Sequence, residues 1–347
     1  MSTNARDDAR SGADVRDDVA IGGEGEAASA RCDSVMLIGF GGPTAPGEVR
    51  PFLDRVLQGR PVPRERYEEV VHHYELLGGR SPYNDLTLRQ AAALRERLRR
   101  DGIDVPVVVG MRNTPPFIDD ALRDLAARGA RRTFGFILAA HRCEASWDRY
   151  QDDLDAARTR VGAAAPQFDY APLWHNDPRF IGAIADRVRA AIDRLAAQDR
   201  DRADLIFTAH SIPLAMAGRA AYVDQIEESA AMVARAVGNA NSRVAWQSRS
   251  GNPRDPWLEP DVKDVVRELG RAGGRVAVLV PIGFLCDHVE VLYDLDIEAA
   301  QIAREASVTM VRAATVSDHP QFIELMAALA RDKLVPAPAP SRVIGPG

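Results

Sequence analysis

Eight short apolar runs, each followed by a stretch of helical character, constrain the fold of this chain more than any other feature. The runs are VMLIGF (35–40), VPVVVG (105–110), RTFGFILAA (132–140), FDYAPLW (168–174), DLIFTAH (204–210), RVAWQS (243–248), RVAVLVPIGF (275–284) and VTMVRAATV (308–316). Most are rich in Val, Ile and Phe without strict alternation, the pattern of strands covered on both faces. The stretches between them carry helix signals. LTLRQAAALRERLRR (86–100) has Thr87 as an N-cap with Gln90 three residues on, a capping-box pattern. PRFIGAIADRVRAAIDRLAAQ (178–198) opens on Pro, and DQIEESAAMVARAVG (224–238) closes on Gly. Strands alternating with helices give parallel sheets. One sheet could hold all eight, but four strands fall before about residue 165 and four after. The spacing predicts two α/β lobes facing a cleft, at 34–165 and 166–318, with a final helix over 319–334 packing back on the first lobe.

The ends of the chain read differently. Residues 1–33 hold eight acids and four arginines and almost no large apolar side chains, the composition of a disordered tail. Residues 335–347 are Pro/Ala-rich and expected to be loose. The most apolar run, 276–286, is too short to span a bilayer, so a cytoplasmic protein with no integral membrane segment is expected. Net charge is −6, which argues against a nucleic-acid partner. Three cysteines, Cys32, Cys143 and Cys286, stand far apart with no CxxC pair, so neither a disulfide framework nor a thiolate metal site is indicated. A monomer is the default.

Ligands of open α/β sheets bind beyond the carboxyl ends of the strands. Here those ends read GFGGP, GMRN, LAAHR, LWHND, TAHSIP, WQSRSGNP and PIGFLCDHVE. His210 closes a strand, where an imidazole can ligate a metal or move a proton, or simply satisfy a buried carbonyl. Glu290 follows the turn after the next-to-last strand, and equivalent strand ends would bring it opposite His210. A His–carboxylate pair suits a borderline dication such as Fe²⁺, and two ligands suit an ion held briefly. Asp294 and Glu298 continue from Glu290 at spacings of four, with Asp287 a turn earlier. Acids on one helix face raise one another's pKa, so some should hold protons near neutrality; a solvated acidic face is the ordinary alternative. His288 would project from another face and is read as structural.

GFGGP lacks the spacing of a nucleotide phosphate loop, but lets backbone approach a flat ligand. Ser81, beside Arg80 in GGRSP, could grip an anion, and Arg60 and Arg112 are candidate carboxylate clamps. Gln247, Ser248 and Trp257, in WQSRSGNPRDPWLEPDV, could line a cleft or belong to a packed structural loop.

Together LIGFGGP, YELLGGRSPYNDLT, VGMRNTPPFIDDAL, LWHNDPRF, FTAHSIP, VDQIEES, VAWQSRSGNPRDPWLEPDV and VPIGFLCDHVEVLYDLDIEA resemble the ferrochelatases, in family order over about residues 34–330. The resemblance implies two Rossmann-like lobes, each a four-stranded parallel sheet flanked by helices, with a porphyrin between them (the class II chelatase fold). It implies insertion of Fe²⁺ into the porphyrin in heme biosynthesis. His210 and Glu290 would handle metal and pyrrole protons, and Asp294 and Glu298 would carry protons or metal. Phe40 would contact the substrate, at a position where many coproporphyrin users have Tyr and some protoporphyrin users Met. A chain with no long lip favours coproporphyrin III over protoporphyrin IX. Asn113 replaces a His that some members place near the metal. No cofactor is implied beyond the substrate iron; the C-terminus lacks the cysteines with which some members hold a [2Fe–2S] cluster. The alternatives are a cobalt or iron chelatase acting on another tetrapyrrole, and a non-catalytic heme carrier.

Overall fold

The computed structural model describes residues 31–250, 255–273 and 276–334. All eight strands form, at Ser34–Gly39 (β1), Val107–Met111 (β2), Arg132–Ile137 (β3), Gln167–Tyr170 (β4), Asp204–His210 (β5), Ser242–Gln247 (β6), Val276–Val280 (β7) and Thr309–Arg312 (β8). They make two parallel four-stranded sheets, ordered β2-β1-β3-β4 and β6-β5-β7-β8. The two orders are the same winding, so the central strands are β1 and β3 in one lobe and β5 and β7 in the other. Every residue of β1 and β7 is buried, which is why these runs show no alternation. Registers are continuous: Leu37 lies between Val109 and Phe136, and Phe207 between Val244 and Val280.

Several apolar runs outlast their strands. Residues 138–140, 171–174, 281–284 and 313–316 are loops, and Leu138, Ala140, Ala171, Trp174, Ile282, Ala313 and Val316 among them are buried in the cluster shared by the two sheets. There Phe136, Trp174, Phe180 and Phe322 pack ring to ring, with centroids 5.1–6.3 Å apart. They belong to one buried cluster running from Leu37 in the first lobe to Phe207 and Val278 in the second. The helix Pro320–Arg331 supplies Phe322 and packs against both Tyr83–Arg100 and Pro178–Ile192, so it bridges the lobes.

Three helices of the first lobe border the site: α1 (Val49–Leu57), α2 (Arg64–Leu76) and α3 (Tyr83–Arg100). The expected capping box of α3 does not form. The helix starts at Tyr83, and Thr87 and Gln90 lie buried inside it. Gln90 Nε2 donates to Ser317 O across the lobes (2.8 Å), so tertiary packing rather than capping uses these polar residues. The helix expected over 178–198 stops at Ile192, where Leu195 turns into the core and Arg200 donates to the carbonyls of Asp193 and Leu195. The acidic tail expected through residue 33 is ordered from Arg31 onward. Cys32 is fully buried and its N–H donates to Lys333 O (2.7 Å). The rest of that tail and 335–347 lie outside the described residues.

Candidate functional site: an imidazole–carboxylate pair heading an acidic line

His210 ends β5, a strand whose five inner residues are buried. Its Nδ1 donates to Ser211 O (2.5 Å). That bond fixes the ring and turns Nε2 outward. Nε2 lies 3.5 Å from Glu290 Oε2, and the two side chains are 33% and 44% exposed. Close packing of β5 and the loop after β7 makes this meeting possible. Gly283 N donates to Thr208 O, and a Cβ on Gly283 would stand 2.6 Å from Ala209 Cβ. Only glycine lets the loop cross β5 so closely.

Glu290 sits in the first turn of a helix that runs 289–305 in three windings: Val289–Val291, the wider π-helical Leu292–Ala299, and Ala300–Glu305. Its neighbours anchor in opposite directions. Val289 packs with Val49, Phe52 and Tyr74 of α1 and α2, and Val291 with the second lobe's core. Wide turns of this kind occur often at functional sites. Here the acids at 290, 294 and 298 acquire different partners. Asp294 accepts from Ser248 Oγ and from Gln247 Nε2 (3.3 Å). Burial pushes its carboxyl up to about 7; the Ser248 bond opposes the rise, and the Glu290 and Glu298 charges add to it. Glu298 lies 3.2 Å from Lys263 Nζ. Asp287 takes no part: Arg312 holds it through two bonds of 3.1 Å. His288 is half-buried between Tyr83 and Phe284, and its desolvation lowers its pKa.

The other residues singled out in the sequence scatter into supporting roles. Gln247 pairs in register with His210 and is buried. Ser248 adopts a left-handed φ of 60°, which aims its hydroxyl at Asp294. Both hold the acid rather than standing open for a ligand. Trp257 belongs to a structural loop, with Pro256–Leu258 backing the segment after His210. Phe40 is half-buried against Phe52, and its carbonyl accepts from Asn113 N and Nδ2 (both 3.0 Å). Ser81 is buried, its N–H given to Pro43 O. The space left by the glycines of GFGGP is filled from within the chain: Cβ atoms on Gly41 and Gly42 would stand 2.4 Å from Thr114 Oγ1 and 2.7 Å from Ser81 Cβ. Arg112 is engaged by Asp153 and lies over the Tyr150 ring (4.6 Å). Arg60 donates to the carbonyls of Val56 and Leu57 at the end of α1.

The sequence reading missed three neighbours of the acidic line. Tyr222 donates its hydroxyl to His210 O (3.1 Å). His73 of α2 stacks on Tyr293 (centroids 3.5 Å apart) and so joins the first lobe to the acid-bearing helix. Lys263 faces Glu298. Only Lys263 carries a sequence signal, as one of two lysines in an arginine-rich chain. Among the described residues, no three His, Cys, Asp or Glu side chains gather as a metal site, so the pair stands without a third such ligand.

The profile of the ferrochelatase family matches residues 32–334. The chain belongs to the ferrochelatase family. It is 42% identical to a ferrochelatase of Rhodopirellula baltica over 303 residues, covering 87% of this chain and 86% of the relative. It is 40% identical to the coproporphyrin III ferrochelatase of Mycolicibacterium smegmatis over 317 residues, 90% and 93% of the two chains. The fold is shared with SirB from Bacillus subtilis (TM-score 0.54, 13% identity, 87% and 95% covered) and with CbiX, the terminal enzyme of siroheme biosynthesis in denitrifying bacteria (TM-score 0.51, 14% identity, 87% and 100% covered). As a ferrochelatase-family member the chain is a metal chelatase, an enzyme of the lyase class.

Proposed function

We propose that this enzyme inserts Fe²⁺ into coproporphyrin III on the route to heme, with His210 and Glu290 as the residues that meet metal and pyrrole. The observation carrying the assignment is the imidazole Nε2 set 3.5 Å from a carboxylate, at the end of a buried strand, with Nδ1 already committed to a carbonyl. Insertion makes iron–nitrogen bonds and releases two protons from the pyrrole N–H groups. His210 Nε2 and Glu290 accept these protons in turn as general bases. Asp294, tuned to about 7, takes up and gives away a proton near neutrality, and Glu298 hands it to water. Coproporphyrin III is favoured because relatives from Mycolicibacterium smegmatis and Nocardia farcinica, each about 40% identical, carry that specificity in their names.

The enzyme is read as a cytoplasmic monomer without an iron–sulfur cluster. Cys32, Cys143 and Cys286 are all free and buried. Among the described residues no helix is long and apolar enough to cross a membrane. The test mixes pure protein with coproporphyrin III, protoporphyrin IX or sirohydrochlorin and with Fe²⁺ or Co²⁺, and follows the absorption bands. Rapid metallation of coproporphyrin III by Fe²⁺ is expected. Faster turnover of another pair, or binding spectra with no metallation, overturns the proposal. Acid-labile sulfide in the pure protein overturns the cluster-free reading.

A further inference from the structure

The outer end of the acidic line is covered by an ammonium group. Lys263 and Lys333 are the chain's only lysines among 44 basic residues, and Lys263 Nζ lies 3.2 Å from Glu298 Oε2. The position is built. Asp261 caps the helix Val262–Arg271, and the apolar face of that helix packs with Leu295 and Ala299 of the acid-bearing helix. The cation is thus held by two packed helices rather than by a loose surface chain. Burial works against its charge, but the carboxylates of Asp261 and Glu298 raise its pKa above the ordinary lysine value. Ser211, Asp261, Lys263 and Asp264 border an adjoining surface hollow of about 620 Å³, so Lys263 both meets the last acid of the line and lines that opening.

We propose that Lys263 makes the acidic line an exit for protons that is closed to divalent cations, so that metal reaches His210 and Glu290 from the porphyrin side. The proposal rests on the metal-insertion reading above and decides between two uses of the line, draining protons and escorting a cation. A proton needs one carboxylate lone pair at a time and can leave to water with the ion pair in place. A hard dication needs several oxygen ligands at once. It would have to take Glu298 from the ammonium while approaching a like charge. Charge still balances: each Fe²⁺ that enters is matched by the two pyrrole protons that leave.

Mn²⁺ alone, added to the full chain without porphyrin, tests this. Bound ions are counted from the loss of the free Mn²⁺ paramagnetic signal. Wild type and Lys263→Arg should bind the same number of ions. Lys263→Gln and Lys263→Met should each bind one more. The count is taken at Mn²⁺ concentrations that leave this position mostly empty in the wild type, because the affinity there should rise roughly 10–20-fold, the size of the repulsion between a single and a double charge about 5 Å apart in water. Adding Glu298→Gln to either neutral variant should remove the extra ion. The proposal is overturned if neither neutral variant gains an ion, or if Lys263→Arg gains the same one. It also falls if only Lys263→Gln does, because the new amide oxygen would then be the cause. Failure of metallation in the porphyrin assay would remove the proposed function without altering these counts, so the two failures are distinguishable.

Discussion

Replacing Asp294 with Asn should stabilise the protein above neutral pH and hardly at all below pH 4. Asp294 has its carboxyl raised from 3.8 to about 7, chiefly by burial. Its folded form therefore keeps a proton that the unfolded chain gives up at lower pH. Below pH 4 both states are protonated and the group costs nothing. As pH rises from about 4 to about 7 the unfolded state ionises first, and native stability falls by about 1.4 kcal/mol per pH unit. Above pH 7 both states are ionised, and the accumulated loss levels off at about 4 kcal/mol. Asn has no proton to lose, and its amide can still accept from Ser248 and Gln247. Urea unfolding of both proteins at pH 5, 6, 7 and 8 should show the gap widening by about 2–3 kcal/mol, nearly all of it below pH 7.5. A gap constant within about 0.5 kcal/mol across that range would show that Asp294 ionises normally in the folded protein, and the proton-drain argument would lose its central member.

Other outcomes follow from the same geometry. His210→Ala and Glu290→Ala should each lower metallation by at least about 100-fold while porphyrin binding, followed by fluorescence quenching, changes little; near-normal turnover in either variant would remove that residue from the chemistry. Ser248→Gly keeps the left-handed backbone but deletes the bond that lowers the Asp294 pKa, so the pH–rate profile should move to higher pH; a shift to lower pH refutes the assignment. Gly283→Ala places a methyl group against Ala209 and should cost about 1–3 kcal/mol in urea unfolding and displace His210 enough to slow turnover; an unchanged variant would show that the loop can move aside. Phe322→Ala should cost about 3–5 kcal/mol and leave a single unfolding transition, since its ring serves both lobes.

The strands and the two-lobe plan were legible because buried parallel strands write themselves as apolar runs, and because the eight runs divide evenly along the chain. Strand ends were less legible. Residues such as Trp174 and Ile282 are as apolar as the strands before them, yet they fill the seam between the sheets, and apolarity alone does not say which sheet or seam is filled. The acid spacing at 290, 294 and 298 pointed to one line of side chains. It did not reveal the wide π turn, or that three like acids would take three unlike partners: His210, Ser248 and Lys263. Those partners come from other strands and helices, and pairing over such distances leaves no local mark. The partners of the arginines were hidden for the same reason: Asp153 and the end of α1 engage Arg112 and Arg60 only once the chain has folded.

The shared aromatic seam has a consequence for how a large flat guest gets in. Rings from both halves interlock through Phe136, Trp174, Phe180 and Phe322, so parting the jaws would expose a cluster of buried aromatic side chains. Helices α1 and α2 rest instead on a small cluster of their own, tied to the opposite jaw by Val289 and the His73–Tyr293 stack. Those contacts are the cheaper ones to open. Entry then resembles a side door swinging while the frame stays still, and a frame that does not yield leaves the guest to do the bending.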